Sequence, residues 1–132
     1  VHNELKDGES ALQDVDKAIA MQPNYFYSYS IRGMIEERQE DHDAAMKSYS
    51  KAIELNSNEA YLYACRMHVF VKLKNYQAAF DDCEAVYEIN GDEVSYYTNR
   101  GWLKLETGAY VAAIEDSLQA VEIDNGDPQV LL

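Results

Sequence analysis

The chain is short of the residues that mark several classes of protein. Its 132 residues hold two cysteines, two prolines and six glycines. Two thiols cannot build a disulfide framework and point to a reducing compartment, the cytoplasm. Sparse Pro and Gly beside an apolar share of 47% exclude a disordered or low-complexity chain. No stretch approaches the roughly 18 consecutive apolar residues of a membrane span. Positive charge is scarce as well, with 11 Lys and Arg against 24 Asp and Glu and a formal charge of -13. Such a field repels phosphate backbones and anionic lipid headgroups, which excludes nucleic acid and membranes as partners and favours a neutral or basic protein. Val1 opens no signal-peptide pattern, and without an initiator Met the chain is expected to be a piece of something longer.

The groups that carry chemistry are equally thin. His2, His42 and His68 have no Cys or His at ligand spacing, so no metal site is expected. The acidic run Glu36, Glu37, Glu40, Asp41 and Asp43 lacks the glycine and loop spacing of a calcium site, and Asp81 and Asp82 fall on different sides of a helix. Both read as solvated helical surface. Cys65 and Cys83 have no His placed to activate a thiolate, and Cys83 is expected to be buried and inert. No glycine-rich phosphate loop appears, so no cofactor and no catalytic activity are expected.

What the sequence does contain is a period. The segments AIAMQPN from Ala18, AIELNSN from Ala52 and AVEIDNG from Ala120 begin 34 residues, or a multiple of 34, apart. AVYEING from Ala85 joins them with Val86 in the place of the leading Ala. Further columns keep the spacing: Ala11, Ala45, Ala79 and Ala113; Tyr29, Tyr63 and Tyr97; Arg32, Arg66 and Arg100. Apolar and small residues follow helical spacing inside each unit, and strict alternation is absent. Turn residues fall at Pro23 and Asn24, Asn56 to Asn58, Asn90 and Gly91, and Asn125 and Gly126 between units. Shorter turns near Glu40, Asn75 and Gly108 divide each unit into two helices. One helical hairpin cannot bury its own apolar face, so the units must stack.

These columns resemble the tetratricopeptide repeat, the 34-residue helix-turn-helix family. The resemblance rests on Tyr29, Tyr63 and Tyr97, on Gly33 and Gly101 four residues later, on Tyr76 and Tyr110 at the second helix, and on Pro23. It implies an all-α fold, a right-handed α-α superhelix (solenoid). The domain plan is a single unit, 1–132: a partial repeat at 1–25, full repeats at 26–59, 60–93 and 94–127, and the start of a further helix at 128–132. Met67 departs from the pattern at the Gly column, and Glu36 and Lys104 stand where the middle unit has Phe70, which predicts looser packing there.

In that family one face of each first helix lines a concave groove that binds peptides, so the resemblance implies a non-catalytic protein-binding module. At about 100° per residue, the face opposite the Tyr, Arg and Gly columns carries Tyr27, Ser30, Ile31, Met34, Glu37 and Arg38 in the first full unit. Tyr61, Ala64, Cys65, His68, Val71 and Lys72 follow in the second, and Ser95, Thr98, Asn99, Trp102, Leu105 and Glu106 in the third. The groove residues expected among them are Tyr27, Ile31, Met34, Arg38, Tyr61, Cys65, His68, Val71, Lys72, Asn99 and Trp102. Large aromatic and Met side chains on a face that water alone would not select are the usual anchors of an interface. The plainer reading is that they pack against neighbouring turns. A class of these repeats clamps chaperone C-terminal carboxylates with Lys, Asn and Arg. The matching positions here, Ser30, Met34, Cys65, Ser95 and Asn99, lack that basic set, which argues against such a ligand. The recurring Arg column and Asp14, Asp82 and Asp116 predict ion pairs between helices. A structural alternative is self-association or continuation through open repeat ends, and a third is a regulatory fragment of a larger protein.

Overall fold

The computed structural model describes the backbone of residues 2–126 and the side chains of residues 7–126. The segment 128–132, expected to begin another helix, lies outside the described residues. Helix α1 spans His2–Met21, α2 Phe26–Arg38, α3 His42–Leu55, α4 Ala60–Lys72, α5 Tyr76–Asn90, α6 Glu93–Glu106 and α7 Tyr110–Asn125. Pairs α2/α3, α4/α5 and α6/α7 are antiparallel hairpins stacked in chain order, with α1 packed on α2. The architecture is all-helical, and none of the described helices is long and apolar enough to cross a membrane.

The helix ends repeat in part, although Ala109 opens α7 without a side-chain cap. Asp41, Asn75 and Asp92 cap α3, α5 and α6 by accepting from the backbone N–H of Ala44, Ala78 and Ser95. Glu40, Lys74 and Gly108, each 34 residues from the next, all take left-handed backbone, with φ of 60°, 59° and 83°. The N–H of the residue after each reaches back to the carbonyl of Glu36, Phe70 or Lys104, closing the same helix-ending turn three times. Only the last of the three is a glycine, so the two inner turns carry a residue with a Cβ in a conformation that disfavours one.

Inside each hairpin the helices meet at a pair of columns whose sizes compensate. Gly33 faces Tyr49, and a Cβ on Gly33 would stand 2.8 Å from the Tyr49 ring. In the middle hairpin the large residue changes sides: Met67, fully buried, packs in one cluster with Cys83. In the last hairpin both are small, with Gly101 facing Ser117. Met67 is therefore no defect of the repeat but the counterpart of Cys83. The Ala column sits beside these contacts, with Ala45 and Ala79 wholly excluded from solvent. Apolar clusters around Tyr49 and Val69, around Ile53 and Leu62, and around Met67 and Leu103 join one hairpin to the next.

The expected ion pairs form in two hairpins. Arg66 donates to both carboxylate oxygens of Asp82 at 2.9 and 2.7 Å, and Arg100 to both of Asp116 at 2.9 and 2.8 Å. Lys104 adds a second cation 2.8 Å from Asp116, while the Arg66 guanidinium lies over the Phe70 ring at 5.4 Å. In the first hairpin Ser48 replaces the acid, and Glu36 brings a carboxylate from the facing helix. Glu36 accepts the Ser48 hydroxyl and lies 3.6 Å from Arg32, whose other contact is Asp16 at 3.3 Å. Glu36 is 5% exposed, so the looser packing expected in its column is not found there. Burial pushes the Asp82 carboxyl up against the pull of Arg66, whereas Arg100, with Lys104, holds Asp116 below the usual carboxylate value.

Two outcomes follow in thermal and acid melts. Gly33→Ala should destabilise despite the ~1 kcal/mol that Ala gains in a helix, because displacing the buried Tyr49 ring costs about 1–3 kcal/mol. Gly101→Ala, whose nearest contacts are at 3.3 Å, should lose less. Pairing Gly33→Met with Tyr49→Cys, which copies the middle hairpin, should recover most of the stability lost by either change alone. Stability contributed by Asp116 is complete above its unfolded value of about 3.9 and is lost as pH falls through its lower folded value. Asp116→Asn should therefore melt at lower temperature near neutrality and lose less stability than the parent on acidification below about pH 4.

Candidate functional site

The first helices α2, α4 and α6 turn their packed columns toward α3, α5 and α7, which leaves one side of each for solvent or a ligand. On that side Tyr27 is 47% exposed, Met34 46% and Tyr61 40%. Tyr61 lies close enough to Ser30 and Tyr27 to feel both. Ile31, Cys65 and Asn99 are half-buried, and Arg38 is exposed at the end of α2. Ser30 itself is buried and donates its hydroxyl to the Tyr27 carbonyl, so it offers nothing outward.

On the same side lies a cavity of about 400 Å³. Of the residues expected on that face, Glu37, His68, Val71, Lys72, Trp102 and Glu106 line it. Val71 is only 8% exposed and packs in the core with Met67, Ala79 and Leu103 while lining the cavity. The cavity also takes His42, Lys74 and Tyr76. His42 and Tyr76 open the second helices α3 and α5, and a search confined to first helices could not find them. Their shared column, one period apart, was the available signal.

The His68 and Trp102 rings join α4 to α6 with centroids 4.7 Å apart. Burial, with Lys72 nearby, lowers the His68 pKa, so its imidazole is neutral at pH 7. Beneath the surface, Glu37 Oε1, His42 Nδ1 and the Tyr49 hydroxyl are buried, none with a partner at ordinary hydrogen-bond geometry. Burial raises the Glu37 carboxyl, with the neighbouring Tyr49 hydroxyl and His42 pulling the other way. Of these, Glu37 and His42 line the cavity, where a side chain or main chain entering it can complete them. Among the described residues no group of His, Cys, Asp or Glu is arranged to hold a metal ion. Cys65 and Cys83 are unpaired, and burial pushes the Cys83 thiol up to about 11, away from thiolate chemistry.

Trp102 is the single tryptophan and reports on this contact directly. Its emission should fall on acidification as His68 becomes a quenching imidazolium, with a midpoint below the ordinary value of about 6.5. His68→Gln should abolish that step without changing helicity. A midpoint at or above the ordinary value would contradict the partial desolvation of His68 against the indole.

The geometry can now be set beside known proteins. The sequence profile of the tetratricopeptide repeat matches residues 26–59 and 94–127, together just over half of the chain. Among curated proteins no relative matches the sequence. Solved structures share the fold. One is MamA residues 41 to the end from Desulfovibrio magneticus RS-1, at 15% identity and TM-score 0.79, covering 92% of this chain and 69% of that one. A tetratricopeptide repeat protein from Parabacteroides merdae is 16% identical with TM-score 0.83, covering 93% of this chain and 48% of that one. The second such domain of Spaghetti (RPAP3), solved with the HSP90 peptide SRMEEVD, is 22% identical with TM-score 0.64, covering 77% and 95%. With the profile matched over two full units and the hairpin stack reproduced in these structures, the chain belongs to the tetratricopeptide repeat family.

Proposed function

We propose that the chain is a non-catalytic binding module that holds a peptide segment of a partner protein against the exposed side of α2, α4 and α6. The observation that carries this is the pairing of exposed Tyr27, Met34 and Tyr61 with a cavity walled by Trp102 and His68, in which Glu37 and His42 keep unpartnered polar atoms. Aromatic anchors supply contact area, and unsatisfied polar atoms reward a ligand able to complete them. The domain reads as one binding unit, with a partial repeat at 1–25 and full repeats at 26–59, 60–93 and 94–127. The family is generally non-catalytic.

The charge of -13 favours a neutral or basic segment over nucleic acid or an anionic membrane surface. The relative bound to the acidic peptide SRMEEVD shows what that protein does. Here the clamp positions are the buried Ser30, together with Met34, Cys65, Ser95 and Asn99, and none brings a cation. Two unpaired thiols fit the cytoplasm as the working compartment. A scaffold joining further units through its ends is the second reading, favoured by the apolar outer side of α7.

Selection of binders from a random peptide library tests the groove. Selected peptides should be neutral or basic, and a Tyr61→Ala, Trp102→Ala double variant of unchanged helicity should bind them at least about tenfold more weakly. Peptides held equally by parent and double variant, or a selection dominated by acidic C-termini, would sink the proposal.

A further inference from the structure

Two residues that line the groove cavity break the repeat. Glu37 stands in the column of Val71 and Leu105, and His42 in the column of Tyr76 and Tyr110. In the middle unit both places are packed with apolar surface: Val71 is 8% exposed, and Tyr76 lies against the cluster of Met67, Ala79 and Leu103. The first unit puts a carboxylate and an imidazole there instead. Glu37 Oε1 and His42 Nδ1 are buried, neither with a partner at ordinary hydrogen-bond geometry. A half-satisfied polar pair is worse for stability than the apolar pair whose place it takes. Packing therefore does not account for the change.

The rest of the lining shows what would complete the pair. Trp102 and Tyr76 wall the same cavity, and aromatic rings attract a cation that comes within about 6 Å of the ring centre. Glu106 adds a second carboxylate, exposed at the cavity. Lys72 and Lys74 line it as well, but both are exposed, and among the described residues neither forms an ion pair with Glu37 or Glu106. Their flexible stems leave the ammonium groups in water, while Glu37 keeps its unpaired oxygen inside. An anionic group entering the cavity would meet that carboxylate with no cation fixed beside it, and a neutral one would leave the charge unpaired. We propose that the cavity seats one cationic side chain, Lys or Arg, of the bound segment, with Glu37 as its counter-ion and the Trp102 and Tyr76 rings as its walls. This inference rests on the groove reading above and narrows it: the partner must carry a basic residue at one position, and Glu37 sets the requirement.

The test repeats the peptide selection with a second library from which Lys and Arg are omitted. Groove binders, recognised by their loss in the Tyr61→Ala, Trp102→Ala variant, should come from the complete library alone. In the tightest of them, replacing one particular Lys by norleucine, or Arg by citrulline, should weaken binding to the parent at least about tenfold and leave binding to Glu37→Gln nearly unchanged. Glu37→Val, which copies Val71, should remove the preference for a cation while the melting temperature stays level or rises. Groove binders of equal affinity from the cation-free library would overturn this inference and leave the groove reading standing, as would a Glu37→Gln variant that still distinguishes Lys from norleucine. A fall in melting temperature for Glu37→Val with the preference intact would make Glu37 a packing residue and overturn it too. Peptides from either library that bind the Tyr61→Ala, Trp102→Ala variant as well as the parent would remove both readings.

Discussion

Everything in this stack depends on how closely two helices approach within a hairpin. The approach is set where residue 33 meets 49, 67 meets 83 and 101 meets 117. The pair is glycine and tyrosine, then methionine and cysteine, then glycine and serine. Close packing tolerates a change of partner but not an extra methyl group against a buried ring. Because each pair fills its space in its own way, the hairpins keep one geometry while the residues vary. The bidentate contacts of Arg66 and Arg100 then fix how the second and third pairs are rotated, since a planar guanidinium binds a carboxylate in few orientations.

With register held on the packed side, the opposite side of α2, α4 and α6 is released from structural duty. Tyr27, Met34 and Tyr61 remain exposed there, and Trp102 is held in place by stacking on His68. On the proposed function, preorganisation of this kind would lower the ordering cost of binding, because the ligand would not have to assemble these side chains. The buried polar atoms of Glu37, His42 and Tyr49 sit where two hairpins meet, and they link the floor of the groove to the same Tyr49 that fills the gap opposite Gly33.

Much of this was legible in the sequence because a period repeats its evidence. Helix pairs, their turns and the Arg66–Asp82 and Arg100–Asp116 contacts each occur at a constant spacing, so chance resemblance in one unit is checked by the next. What escaped were the places where units differ by compensation. Glu36 supplies from α2 the carboxylate that Ser48 lacks on α3, and Met67 and Cys83 exchange the sizes of Gly33 and Tyr49. Each requires knowing which columns face one another, which spacing within one helix does not give. Val71 both packs in the core and lines the cavity, because it lies near the border between two faces, where 100° steps divide residues poorly. His42 and Tyr76 reach the cavity from second helices, beyond a reading restricted to first ones.

The division of labour between the two sides can be measured without any ligand. A Tyr27→Ala, Met34→Ala, Tyr61→Ala triple variant should melt within a few degrees of the parent, since these side chains are exposed and Ala favours a helix. A fall in Tm of about 10 °C or more would mean that they are part of the core. The exposed side of α2 and α4 would then be structure, not a surface kept for a partner.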